Sequence, residues 1–137
     1  ALRGYVREWS RNFDIEADFR AGPAPKKRLL PEIEVNVYRI AQECLNNVAK
    51  YAKASSIAVL LSISENELTL IIEDNGTGFD TTASDRRRTN GGLGLQGMQE
   101  RANLLEGNFQ IESTATSGTT VFVRIPAKFR AESAATG

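Results

Sequence analysis

The sequence contains no histidine, a single cysteine and no long apolar run. Without histidine, Ser-His-Asp and Cys-His nucleophile systems are excluded, and no imidazole can bind zinc. The lone Cys44 excludes an intrachain disulfide and any site built from several thiolates. No segment approaches the roughly 20 apolar residues of a spanning helix, and residues 1–10 lack the apolar stretch of a signal peptide. We therefore expect a cytoplasmic chain, or the cytoplasmic part of a membrane-bound protein, without direct membrane contact.

The sequence also has no excess of positive or negative charge, because 17 basic residues balance 17 acidic ones. This balance argues against a nucleic-acid partner and against an anionic membrane surface. The 137 residues, 41% of them hydrophobic, are enough to build a core without disulfides. We predict one domain over residues 1–130, followed by a disordered tail over residues 131–137.

Two periodicities in the chain predict its fold class. Apolar residues recur at helical spacing near the N-terminus, over Pro31–Lys53, and after the glycines at 92–97, where Gly107 is expected to cap the helix. Alternation, the period of a half-buried strand, begins near residues 13, 57 and 68, and two further strands are predicted to begin near residues 109 and 119. This order predicts an α+β fold, a two-layer sandwich of about three helices on a mixed, largely antiparallel sheet.

The long helix carries polar residues beside its apolar stripe. Glu43 and Asn47 stand four residues apart, so they project from the same face, and Lys50 follows on the same margin. A carboxylate, an amide and an ammonium beside a core-facing stripe fit the edge of a ligand pocket. A solvated helix edge is the alternative interpretation of this pattern.

Glycines cluster on either side of a polar connection, residues 80–90, whose length is typical of a functional lid. Residues 92–97 spell GxGxxG, but no strand runs directly into the first glycine, so a Rossmann site is rejected. Glycines before a helix can still hold a phosphate, or can simply let the helix pack closely. Asp74, followed by two glycines, could accept hydrogen bonds from a planar amine, or could close a tight turn. Together these features suit a nucleotide with Mg²⁺, without a P-loop lysine motif.

Four segments in order resemble the ATP-binding domain of sensor histidine kinases, in particular the nitrate/nitrite-sensor-like subfamily. They are NVYRIAQECLNNVAKYAKAS, IIEDNGTGFD, GGLGLQGMQERANLLEGNFQIEST and SGTTVFVRIP, which match the N box, the two glycine boxes and the closing strands. The resemblance spans about Val37 to Pro126. It implies a Bergerat-type fold with a polar ATP lid, shared with DNA gyrase, MutL and the ninety-kilodalton heat-shock chaperone.

Carried onto the matching positions, the resemblance implies a role for each polar residue. Glu43 would be the catalytic carboxylate, and Asn47 would hold Mg²⁺ through its amide oxygen. Lys50 would neutralise phosphate charge. Asp74 would accept a hydrogen bond from the adenine amino group, and Thr119 would support that carboxylate.

The other positions implied to contact ATP are mostly glycines. Gly76 and Gly78 would leave room for the base, and Gly97 would permit a turn. The backbone N–H groups expected to bind the phosphates are those of Gly92, Leu93, Gly94 and Leu95. Tyr51 stands where many members have histidine, and it is expected to reach the nucleotide.

The resemblance implies transfer of the γ-phosphoryl group of ATP to a histidine on a separate dimerisation domain, for relay to a response regulator. The phosphoacceptor histidine and its helices are absent from this chain. Two alternatives stay open: a serine/threonine protein kinase of the anti-sigma-factor type, and a nucleotide-binding module without turnover.

Overall fold

The computed structural model describes residues 2–23, 25–76, 94–114 and 118–131. These form helices α1 (Leu2–Phe13), α2 (Pro31–Asn47) and α3 (Leu95–Leu104), and strands β1 (Glu16–Ala21), β2 (Ser56–Ile63), β3 (Glu67–Asp74), β4 (Asn108–Thr114) and β5 (Gly118–Pro126). A π-helical turn, Val48–Ala52, follows α2 directly. The predicted lid and residues 132–137 of the predicted tail lie outside the described residues.

The five strands form one sheet in the order β1-β2-β3-β5-β4. β1 pairs with β2 in parallel, and the other three pairings are antiparallel. The connection from β1 to β2 carries α2, as a parallel crossover requires. The predicted α+β class, with helices on a mixed and largely antiparallel sheet, is confirmed.

The core lies between the helices and one face of the sheet. In β3, Leu68, Leu70 and Ile72 are buried while the residues between them are more exposed, the two-residue period of a strand with one covered face. The apolar stripe of α2 lies against this face, and Ile40 and Leu45 have no exposed surface. Burial of this stripe fixes which margin of α2 borders the sheet.

The predicted long helix begins as expected, with Pro31 in its first turn and Glu32 and Glu34 at its positive end. Its last turn differs from the prediction, because the α-helix ends at Asn47 and becomes π-helical. An i→i+5 turn takes up an extra residue, so Val48 and Ala52 both stay buried before Lys53, at φ 51°, ends the helix.

The cap predicted at Gly107 is wrong in its detail. The left-handed residue at the end of α3 is Glu106, at φ 60°, and Gly107 donates its N–H to the Ala102 carbonyl at 2.8 Å. Glycine is needed at 107 for another reason, because a Cβ there would lie 2.5 Å from the Arg124 carbonyl oxygen of β5. Within the described ranges, no helix combines the length and apolar character needed to span a bilayer.

Candidate functional site

Asp74, the last residue of β3, has its side chain buried at 5% exposure. Its carboxylate accepts hydrogen bonds from the backbone N–H of Gly76, at 2.8 Å, and of Thr119. Burial raises the pKa of Asp74, while these two N–H groups lower it. The described residues provide it with no basic partner. A buried carboxylate held only by backbone donors keeps acceptor capacity for a ligand.

Asp74 opens into a space between the helices and the sheet that we call the apolar cavity. This space is about 350 Å³ when it is counted out into the open solvent at its mouth. It is lined by Cys44, Asn47, Val48, Ala52, Ile72, Asp74, Leu95, Met98, Ile111, Thr119 and Val121. Apolar walls with a few convergent polar groups are typical of small-molecule sites.

Two sulfur atoms form one wall of the apolar cavity. The Cys44 thiol donates to the Met98 thioether across 3.4 Å, and both side chains are buried. Burial raises the pKa of Cys44 to about 12, so the thiol stays protonated and is no nucleophile at neutral pH. The pair therefore offers a soft, polarisable surface to a ring.

Two glycines let backbone segments pass close together around Asp74. A Cβ at Gly76 would overlap the backbone carbonyl of Ala52 at the end of the π-helical turn. A Cβ at Gly118, whose φ is 81°, would overlap the Asp74 carbonyl. These approaches bring the β3 end, the α2 end and the start of β5 together.

The margin of α2 divides between two spaces. Asn47, buried at 9% exposure, lines the apolar cavity with Asp74 and Thr119. Glu43, one turn earlier, is half-buried and faces a second space that we call the outer groove, of about 780 Å³. Lys50 is exposed and Tyr51 half-buried, and neither is among the residues that line the apolar cavity or the outer groove.

The outer groove lies between α1, α2 and the start of α3. It is lined by Tyr5, Arg39, Gln42, Glu43, Asn46, Gly94, Gly97, Met98 and Arg101. Met98 also lines the apolar cavity, so the two spaces are neighbours. The Glu43 carboxylate lies against Gly94, whose φ is 65°, so a Cβ there would displace that side chain. The Arg101 guanidinium donates to the Asn36 amide oxygen at 3.0 Å and ties α3 to α2.

The second glycine cluster is described only from Gly94 onward. Leu95 lines the apolar cavity, whereas Gly97 lies in the first turn of α3 with open space around it. The turn predicted at Gly97 is therefore an ordinary helical turn. Predicted contacts of Gly78, Gly92 and Leu93 fall outside the described residues.

Sequence reasoning did not find the part of the apolar cavity that the neighbouring strands β4 and β5 form. Ile111 and Val121 line the apolar cavity, and the hydroxyls of Ser113 and Thr119 lie 2.7 Å apart across β4 and β5. Alternation places Ile111 and Val121 on a buried face, but it gives no sign that this face borders a ligand space. It is the pairing of β4 with β5 that places Ile111 and Val121 side by side at the apolar cavity.

The amide oxygen of Asn47 is the hard ligand that a cation such as Mg²⁺ would meet at this site. Among the described residues, no three Cys, Asp or Glu side chains come together as a metal cluster. Mg²⁺ in nucleotide sites uses one or two protein oxygens plus phosphates and water, so such a cluster is not required. The amide oxygen of Asn47 is a suitable ligand of this kind.

Lowering the pH is expected to stabilise the chain through Asp74. The pKa of Asp74 is raised above its ordinary 3.8, so between the two values the folded chain holds more proton than the unfolded chain. The free energy of unfolding then rises as pH falls, by at most about 1.4 kcal/mol per pH unit. Unfolding by urea at several pH values, compared with Asp74→Asn, measures this, and an Asp74→Asn curve parallel to the original would contradict it.

Known proteins resemble this chain in sequence. The sequence model of one protein family, the histidine kinase-, DNA gyrase B- and HSP90-like ATPases, matches residues 32–128. The chain is 36% identical over 126 residues to the histidine-protein kinase/phosphatase DegS of Brevibacillus brevis, covering 91% of this chain and 31% of DegS. It is also 36% identical over 126 residues to the oxygen sensor histidine kinase NreB of Staphylococcus carnosus, covering 92% of this chain and 35% of NreB. The chain thus spans about a third of these relatives.

Solved structures resemble the chain in fold. The histidine kinase domain of the blue-light activated kinase from Erythrobacter litoralis EL346 superposes with a TM-score of 0.70 at 20% identity, covering 91% of this chain and 58% of that one. The ATP binding domain of PrrB from Mycobacterium tuberculosis gives 0.69 at 20% identity, covering 93% and 91%. The predicted resemblance to histidine-kinase ATP-binding domains is confirmed. By the family match over residues 32–128 and these relatives, the chain belongs to the histidine kinase-, DNA gyrase B- and HSP90-like ATPase family.

Proposed function

We propose that this domain binds ATP with Mg²⁺ and transfers the γ-phosphoryl group to a histidine on a separate dimerisation domain. The phosphoryl group would then pass to a response regulator, in the cytoplasm. One observation carries the proposal: the buried Asp74 carboxylate, without a basic partner among the described residues, opens into the apolar cavity beside Asn47. DegS and NreB, which this chain resembles, are named as histidine kinases.

An adenine ring would be bound at the apolar cavity. Asp74 would accept a hydrogen bond from the exocyclic amine, an interaction that a ring with a carbonyl at that position cannot make. The Thr119 hydroxyl, paired with Ser113, lies beside that carboxylate and would hold it or an intervening water. The Cys44 and Met98 sulfur atoms would contact the ring.

The phosphates would extend from the apolar cavity towards the outer groove. Asn47 borders the first space, and Glu43, one turn away on α2, borders the second. Helix α3 begins at Leu95, beside Gly94. Its first N–H groups have no partner within the helix, and together with its positive dipole end they would attract phosphate. When bound, Mg²⁺ would neutralise phosphate charge, and Asn47 is the residue that would hold it.

The acceptor must come from outside this chain, which contains no histidine. In the transfer, a bond forms between an imidazole nitrogen and the γ-phosphorus, and the bond from that phosphorus to the β–γ bridging oxygen breaks to release ADP. Glu43, at the edge of the outer groove, would orient the attacking imidazole by accepting its other N–H.

The test is to mix the chain with the proposed histidine-bearing dimerisation domain and γ-labelled ATP. We expect label on that domain, lost in acid as phosphohistidine is. Acid-stable label would instead indicate a serine/threonine kinase. No label, with the chain folded and nucleotide-bound, would indicate a binding module without turnover.

A further inference from the structure

The exposed side chain of Asn75 makes three hydrogen bonds to a segment twenty residues away. Its Oδ1 accepts the backbone N–H groups of Ser55, at 2.9 Å, and Ser56, at 3.0 Å, and its Nδ2 donates to the Ser55 hydroxyl at 2.9 Å. The Asn75 backbone N–H donates to the Ser56 carbonyl at 3.2 Å. Both lone pairs of the amide oxygen are therefore used on one short segment.

This amide joins the two halves of the site. Ser55 and Ser56 connect the π-helical turn, and hence the end of α2 that carries Asn47, to β2. Asn75 lies between Asp74 and Gly76, and Gly76 donates to the Asp74 carboxylate while lying against the Ala52 carbonyl. A shift at Asn75 would thus move the Asp74 carboxylate relative to the end of α2, which carries Asn47.

We propose that Asn75 is a positioning residue for the nucleotide, which holds Asp74 at the correct distance from the end of α2. The inference rests on the proposed function, because it assumes that Asp74 binds the base and Asn47 the phosphate side. Asn75 is exposed, so water can replace its lost hydrogen bonds in a variant, and the fold should lose little stability. A ligand that bridges Asp74 and Asn47 would still meet a less ordered site.

The experiment measures binding of a non-hydrolysable ATP analogue with Mg²⁺ by calorimetry, and urea unfolding, for the chain and for Asn75→Ala. We expect the Kd of Asn75→Ala to rise about tenfold, with an unfolding midpoint close to that of the unaltered chain. Asn75→Asp keeps an acceptor for both backbone N–H groups, so its Kd should return to within about threefold of the original. In phosphotransfer, KM for ATP should rise while kcat stays unchanged.

Asn66→Ala is the matched control. Asn66 is an exposed asparagine at the opposite end of the β2–β3 hairpin, and its side chain makes no hydrogen bond with the described residues. The Asn66→Ala variant should therefore bind the ATP analogue with an unchanged Kd. Unaltered affinity in Asn75→Ala, or an equal loss in Asn66→Ala, would overturn the inference. If Asn75→Ala does not fold, the Kd of Asn75→Asp tests the inference instead, and a tenfold or greater rise in that Kd would overturn the inference. Failure of the unaltered chain to bind would instead overturn the proposed function.

Discussion

Replacing Gly76 with alanine is expected to destabilise the fold by about 3 kcal/mol and to abolish nucleotide binding. The added Cβ would overlap the Ala52 carbonyl oxygen and lie 2.7 Å from its carbon, and both atoms are backbone. No flexible side chain can move aside, so either the turn after Asp74 or the end of the π-helical turn must shift. Because these segments carry the two halves of the site, the shift separates Asp74 from Asn47. Urea unfolding and calorimetry with an ATP analogue measure both effects.

Gly22→Ala is the control for this substitution. A Cβ at Gly22 meets nothing within 4 Å, so its free energy of unfolding should change by less than about 0.5 kcal/mol and its ATP affinity should stay the same. If Gly76→Ala were as stable as the original and bound ATP equally well, the close approach to Ala52 would not be a requirement of the site.

The elements of this fold follow from local periodicity, but their arrangement does not. Alternation in β3 predicts a strand with one buried face, and the spacing from Ile33 to Ala52 predicts a helix on that face. Neither pattern says that β1 pairs in parallel with β2, or that β5 lies between β3 and β4. Those choices depend on contacts between distant segments, which a period of two or 3.6 does not encode.

The same limit applies to the candidate site. Asp74 could be predicted because a carboxylate at a strand end, followed by glycines, has a local signature. Glu43 and Asn47 could be predicted to share a face of α2, yet only the placement of α3 decides that one faces the outer groove and the other the apolar cavity. Asn75 could not be found, because its partners Ser55 and Ser56 are distant in sequence and adjacent only in the fold.

Replacing Glu43 with glutamine is expected to reduce phosphotransfer about 100- to 1,000-fold, because the amide cannot accept a proton or polarise the imidazole as the carboxylate does. The shape is preserved, and Glu43 makes no hydrogen bond or ion pair with the described residues. Stability should therefore hold, and ATP affinity should stay within about threefold of the original. Single-turnover transfer of labelled phosphate to the acceptor domain, at saturating ATP, measures the rate.

Glu32→Gln separates the role of Glu43 from a general loss of charge on α2. Glu32 lies exposed in the first turn of the same helix and is not among the residues that line the outer groove, so its replacement removes the same charge without changing that lining. Phosphotransfer by Glu32→Gln should match the unaltered chain. If Glu43→Gln also transferred phosphate at that rate, the carboxylate at the outer groove would take no part in the chemistry. Transfer would then depend on positioning and charge neutralisation by Asn47, α3 and the bound cation alone.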